Sequence, residues 1–110
     1  MASIEYSPLA ILDLEEIGDY ISREYMNPSA ALRTVNAIQD TIDNLSAFPL
    51  MGASLSSIAD TTTDYRYLVC GDYLAFYRTD ESIVSIDRIL HGKRDYLAIL
   101  FPELLYKDDN

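Results

Sequence analysis

Cysteine and histidine are almost missing from this 110-residue chain, which holds one of each, Cys70 and His91. A single cysteine cannot close an internal disulfide, and neither residue has a second Cys or His at metal-ligand spacing. A secreted disulfide scaffold and a zinc site therefore lack support. Cys70 reads as a small apolar strand residue. Also missing are a glycine-rich phosphate loop, a G-x-S-x-G elbow and a cysteine–histidine pairing suited to nucleophilic catalysis. No cofactor and no metal are expected. No uninterrupted apolar run approaches the roughly 18 residues that a membrane span needs. The opening "MASIEYSPLAILDLEEIGDY" spreads acids through its apolar residues, unlike a signal peptide. The chain reads as soluble and cytoplasmic, with no membrane partner.

Positive charge is scarce and unevenly placed. Lys and Arg number 8 against 18 Asp and Glu, a formal net charge of −10. Residues 1–64 carry ten acids and two bases, whereas residues 65–101 carry five of each. Nucleic acid repels such a chain at long range unless a local basic patch overrides the global field. Direct DNA binding is not expected, and any nucleic-acid role must rest on the C-terminal half. With 49% hydrophobic residues the chain is long enough for one domain over residues 1–110 and too short for two.

Periodicity supplies the architecture. "SIEYS" at 3–7 alternates as a short strand, and Ser7 with Pro8 then gives an N-cap and a first helical position. Ala10, Leu14, Ile17 and Ile21 recur at helical spacing. Asp13, Glu16 and Asp19 fall largely off that stripe, and "DLEEIGDY" reads as an exposed helix face. Asn27-Pro28 breaks this helix and opens a second, striped by Ala31, Val35, Ile38, Ile42 and Leu45 and stopping before Pro49 and Gly52. The pair should form an antiparallel hairpin. "GASLSSIADTTTD", residues 52–64, reads as a loop.

From Tyr65 the pattern turns to strand in "YRYLVC", "YLAFYR" and "SIVSIDRILH". Gly71-Asp72 suits a two-residue turn that sets Arg66 opposite Tyr77 and Tyr65 opposite Arg78. "KRDYLAILF" can form a short terminal helix, and about 102–110 a fraying tail. The expected fold is α+β, a helical hairpin on one face of a mainly antiparallel sheet, in the order β-α-α-β-β-β with a possible short C-terminal helix. The other sheet face is left for a ligand or partner.

Arg66, Arg78, Arg88, His91, Lys93 and Arg94 gather nearly all positive charge of the C-terminal half. As a site, the arginines and lysine would hold a phosphate while His91 or Tyr96 moved a proton, with Tyr65, Tyr67, Tyr73 and Tyr77 available to stack bases. As structure, Arg78 and Arg88 would pair with Asp80, Glu81 or Asp87, and His91 would be a hydrogen-bonded strand end. Lys93-Arg94 stands at a helix start, where the dipole disfavours cations, which argues for a functional reason. Asp95 offsets that charge and could cap the helix.

The stretches "YSPLAILDLEEIGDYI", "NPSAALRTVNAIQDTIDNLSAFPLMG", "YRYLVCGDYLAFYR" and "VSIDRILHGKRDY" together resemble the RelE/ParE toxins of bacterial type II toxin–antitoxin modules, often labelled plasmid stabilisation proteins. The resemblance covers essentially the whole chain. It implies the same β-α-α-β-β-β fold, a cognate antitoxin that wraps the toxin, and one of two targets. RelE-like members cleave mRNA on the ribosome; ParE-like members poison DNA gyrase. Lys93-Arg94 looks like the basic pair of RelE-like enzymes, and Arg66 falls near their basic strand positions. In that reading His91, Lys93, Arg94 and Tyr96 are catalytic, and Arg66, Arg78 and Arg88 contact phosphate or a partner.

The chain departs from RelE-like enzymes where Leu74 replaces an arginine and where Leu100 or Phe101 replaces a late tyrosine. "RILHGKRDYLAIL" looks like ParE, and a net charge of −10 suits entry into an RNA-lined site poorly. Gyrase is thus the favoured target, a ribosome-dependent mRNA endonuclease the alternative, and an inactive antitoxin-binding module the third reading.

Overall fold

Ser7 closes the first strand and opens the first helix with one side chain. In the computed structural model, which describes residues 1–57 and 62–102, β1 (Ser3–Tyr6) runs into α1 (Pro8–Glu24). Ser7 Oγ accepts from the Ala10 amide at 3.0 Å and donates to the Asp87 carbonyl at 2.7 Å. This satisfies one of the open amides of the first helical turn. Asn27 caps α2 (Pro28–Asp43) in the same way, accepting from Ala30 at 3.1 Å. The expected stripes face inward: Ala10, Leu14, Ala31, Ile38, Ile42 and Leu45 are buried, and Ile17 and Val35 pack partly buried against the same core.

Five strands form one sheet in the order β1-β5-β4-β3-β2, with β2 (Ala53–Ser54), β3 (Arg66–Cys70), β4 (Tyr73–Thr79) and β5 (Ile83–His91). Only the β1–β5 pair is parallel. The β3–β4 turn is the two-residue Gly71-Asp72 with Gly71 at φ +64°, and Arg66 stands opposite Tyr77.

β2 lies in the segment expected to be a loop, and a 3₁₀ turn at Leu55–Ser57 follows it. Two residues give no visible alternation. What holds them is tertiary: Arg66 Nη1 donates to the Gly52 carbonyl at 2.6 Å, and the Tyr77 hydroxyl donates to the Pro49 carbonyl at 2.8 Å while accepting from the Gly52 amide at 3.0 Å. A Cβ at residue 52 would lie 2.6 Å from the Tyr77 hydroxyl oxygen, so only glycine fits this closure.

A bulge sets the faces of β5. Phe76 stands opposite Arg88 and Tyr77 opposite Ile86, which leaves Asp87 as the extra residue. Ile86 and Ile89 consequently both join the core under the helices, whereas strict alternation would have separated them. Leu90 goes to the other face, where it is buried with Phe76 and Leu55 beneath α3 (Tyr96–Leu100). Tyr65, Tyr67, Leu74, Leu97, Ile99 and Phe101 complete that second cluster. The terminal helix exists as expected, but it covers part of the face expected to stay open. Most of the expected fraying tail lies outside the described residues.

Asp13 corrects the reading of "DLEEIGDY" as a solvated face. It is buried, and its carboxylate accepts from Arg88 Nε at 2.8 Å, Arg88 Nη2 at 2.9 Å and the Ile89 amide at 2.9 Å. The cause is the end of β1. Its pairing with β5 stops at Tyr6↔Ile86, so the β5 edge beyond has no strand beside it, and a helix side chain supplies the missing acceptor. Removing one partner of such a bidentate pair, buried on the Asp13 side and half-buried on the Arg88 side, leaves the other charge uncompensated. Asp13→Ala is expected to lower unfolding free energy by about 3 kcal/mol, read from urea melts. Asp13→Leu combined with Arg88→Met should recover more than half of the loss.

Candidate functional site

Two exposed cations, Lys93 and Arg94, follow each other in the turn after the C-terminal end of β5. The turn is built from four hydrogen bonds. Gly92 N donates to the Asp72 carbonyl at 2.8 Å, Arg94 N to the His91 carbonyl at 2.9 Å, and Tyr96 N to the Arg94 carbonyl at 2.9 Å. The fourth runs from Lys93 N to His91 Nδ1 at 3.1 Å. Asp95 then caps α3, accepting from Ala98 at 3.4 Å. This carboxylate at the helix start offsets the two cations before it.

The seven residues singled out from sequence do not share one surface. Arg66 is tied to the Leu50 and Gly52 carbonyls. Arg78 bonds Asp87 at 2.9 Å and lies 5.1 Å above the Tyr65 ring, whose hydroxyl donates to the same carboxylate at 2.7 Å. Arg88 is held by Asp13, on a different element from the three acids expected as its partners. Tyr96 stacks at 5.2 Å, tilted 34°, on Phe76 in the cluster under α3. His91 sits on the opposite face, edge-on to Tyr73 at 5.2 Å. Lys93 and Arg94 are exposed, and among the described residues their side chains meet no hydrogen-bond or ion-pair partner.

His91 and Arg94 are brought together by a cleft of about 1020 Å³ between the C-terminal half of α1, the start of α2 and the ends of β4 and β5. Arg23, Tyr20, Tyr25, Tyr73 and Asp72 line it with them, and Glu16 and Asp19 add acids. Tyr20, Arg23 and Tyr25 were not visible as site residues in the sequence, because their facing depends on how the hairpin sits on the sheet. The Tyr73 hydroxyl has its pKa raised, first by burial and then by Asp72, Tyr20 and Tyr25. The cleft mixes both charge signs with aromatic surface, a composition that suits a protein partner better than a phosphate chain. Among the described residues no group of three or more His, Cys, Asp or Glu could hold a metal ion, and no helix is long and apolar enough to cross a membrane.

Comparison with known proteins places this geometry among toxins. A family model described as "ParE toxin of type II toxin-antitoxin system, parDE" matches residues 4–96. A chain of the chromosomal ParDE toxin–antitoxin system from P. aeruginosa is similar at 25% identity and a TM-score of 0.69, covering 83% of this chain and 96% of that one. A chain of the RelBE2 toxin–antitoxin complex from Mycobacterium tuberculosis has a TM-score of 0.52 at 22% identity, over 82% of this chain and 96% of that one. YafQ from E. coli strain BL21(DE3) has a TM-score of 0.53 at 16% identity, over 92% and 99%. These last two share the fold. No curated protein sequence matches the chain.

Two tyrosines outside the cleft, packed against the apolar clusters, give the fold a pH signature. Burial, then Asp43 and Cys70, push the Tyr6 hydroxyl up to about 12; burial, then its hydrogen bond to Asp87, do the same to Tyr65. A raised folded-state pKa means stability fully present below the unfolded value near 10 and lost as pH climbs through 12. Urea midpoints should therefore fall between pH 10 and 12, and Tyr6→Phe with Tyr65→Phe should flatten the fall. An unchanged slope in that double variant would contradict the assignment.

Proposed function

The chain belongs to the ParE toxin family of type II toxin–antitoxin systems, and from that membership we propose that it arrests growth by binding and poisoning DNA gyrase, under restraint by a cognate antitoxin. The observation that carries the choice of target is the commitment of the arginines. A nuclease must offer cations to the scissile phosphate and its developing charge. Here Arg66, Arg78 and Arg88 are each engaged by carbonyls or carboxylates, and Tyr96 is turned away from His91 under α3. Lys93 and Arg94 remain, beside a cleft that also presents Glu16, Asp19 and Asp72. Two exposed cations with acids near them suit a protein surface, and the net charge of −10 opposes entry into an RNA-lined site.

Purified gyrase tests this directly. The protein should inhibit supercoiling, and Lys93→Ala with Arg94→Ala should weaken inhibition at least tenfold with the unfolding midpoint unchanged, because neither side chain holds the fold together. Codon-phased cuts in message from a translating extract, absent when ribosomes are omitted, would replace gyrase with the ribosome. Normal growth at full soluble expression would leave an antitoxin-binding module.

The antitoxin's proposed seat is a groove between the two helices, beside Tyr6. Ile11, Leu14, Gly18, Ala31, Leu32 and Val35 line a groove of about 650 Å³ rimmed by Glu15, Asp19 and Gln39. Ile11 and Leu32 are 48% and 63% exposed, surface that an amphipathic helix would cover. The rim calls for a partner segment with apolar anchors and few acids of its own. Leu32→Glu is expected to cut capture of the neighbouring reading frame's product at least tenfold without shifting the melting temperature. Undiminished copurification would move the seat elsewhere.

A further inference from the structure

The chain's only histidine is normally the first residue to be cast as a general base in such a cluster, yet its geometry assigns it other work. His91 Nδ1 accepts a hydrogen bond from the amide of Lys93 two residues on, at 3.1 Å. This is the bond an asparagine or aspartate oxygen makes in an Asx turn, with the ring nitrogen in the oxygen's place. The same residue's carbonyl accepts from Arg94 N at 2.9 Å, so one residue fixes the amides of both exposed cations. An imidazole accepting at Nδ1 is neutral and carries its proton on Nε2. The lone pair that a base would offer a substrate is therefore already occupied.

We propose that His91 is a positioning residue whose Nδ1, by holding the Lys93 amide, fixes the turn that presents Lys93 and Arg94 to the toxin's target. The contact itself is independent of which target is right; its purpose rests on the toxin reading above.

Two readouts on the full chain test this. In hydrogen-exchange NMR at one fixed pH, the Lys93 amide should be protected at least tenfold more in the wild type than in His91→Ala. In His91→Asn, whose side-chain oxygen can replace Nδ1, the protection should remain. In cells, His91→Asn should arrest growth within about twofold of the wild type, whereas His91→Ala and His91→Gln should lose about tenfold, the weight of one hydrogen bond in an equilibrium. Antitoxin capture by all three should stay unchanged, which excludes misfolding.

A Lys93 amide that exchanges equally fast in the wild type and in His91→Ala would overturn the contact. Loss in His91→Asn equal to that in His91→Ala would overturn the positioning role and mark the ring as touching reacting atoms. If the wild type itself fails to arrest growth, the toxin reading falls and the positioning role with it, while the amide exchange still decides whether the contact exists.

Discussion

The carboxylate of Asp13 stands where a strand would otherwise have to be. β1 leaves the sheet after Tyr6, so the last part of β5 faces the helical layer with an open backbone edge and a half-buried arginine. One side chain from α1 answers both, with three hydrogen bonds between 2.8 and 2.9 Å. Because α1 is anchored at its start by Ser7 on the Asp87 carbonyl, the helix and strand are tied at two points about two turns apart along α1. The seating of the hairpin, and with it the cleft that His91 and Arg94 enter, follows from that attachment.

The same principle governs the remaining cations. A buried or half-buried arginine is tolerated only when its donors are matched, and in this sheet they are matched internally. Arg66 closes the Pro49–Gly52 segment onto β3, Arg78 with Tyr65 and Asp87 knits β3, β4 and β5 together on the outer face, and Arg88 serves Asp13. Charge that looks concentrated in the sequence is thus distributed among three separate structural tasks. Of the described cations from the sheet onward, the pair left for recognition stands where β5 has ended and α3 has not yet begun, with Arg23 of α1 exposed in the same cleft.

Much of the fold was legible because it is periodic or punctuated. Ala10, Leu14, Ile38 and Ile42 could be assigned from spacing alone, and Gly71-Asp72 fixed the register that sets Arg66 against Tyr77. The Arg78–Asp87 pair was among those expected. Three features were not legible. A bulge at Asp87 leaves no mark in composition, yet it decides that Ile89 faces the helices and Leu90 faces α3. Asp13 resembles its solvated neighbours Glu15 and Glu16 because burial of a charge depends on a partner 75 residues away. The separation of Tyr96 from His91 follows from α3 folding back over Phe76, a tertiary contact between residues 20 apart in sequence that no local pattern encodes.

The family supplies the toxin, and the arrangement of side chains supplies the expectation that Lys93 and Arg94 are what its target meets. The chain offers a direct way to ask, since Lys93 and Lys107 are its only lysines. In Lys107→Arg protein expressed to the point of growth arrest, an amine-reactive cross-linker can couple through Lys93 or the N-terminus only. Mass spectrometry of the adducts should join the Lys93 peptide to a gyrase subunit. A Lys93 peptide joined instead to ribosomal proteins, with none to gyrase, would contradict the account.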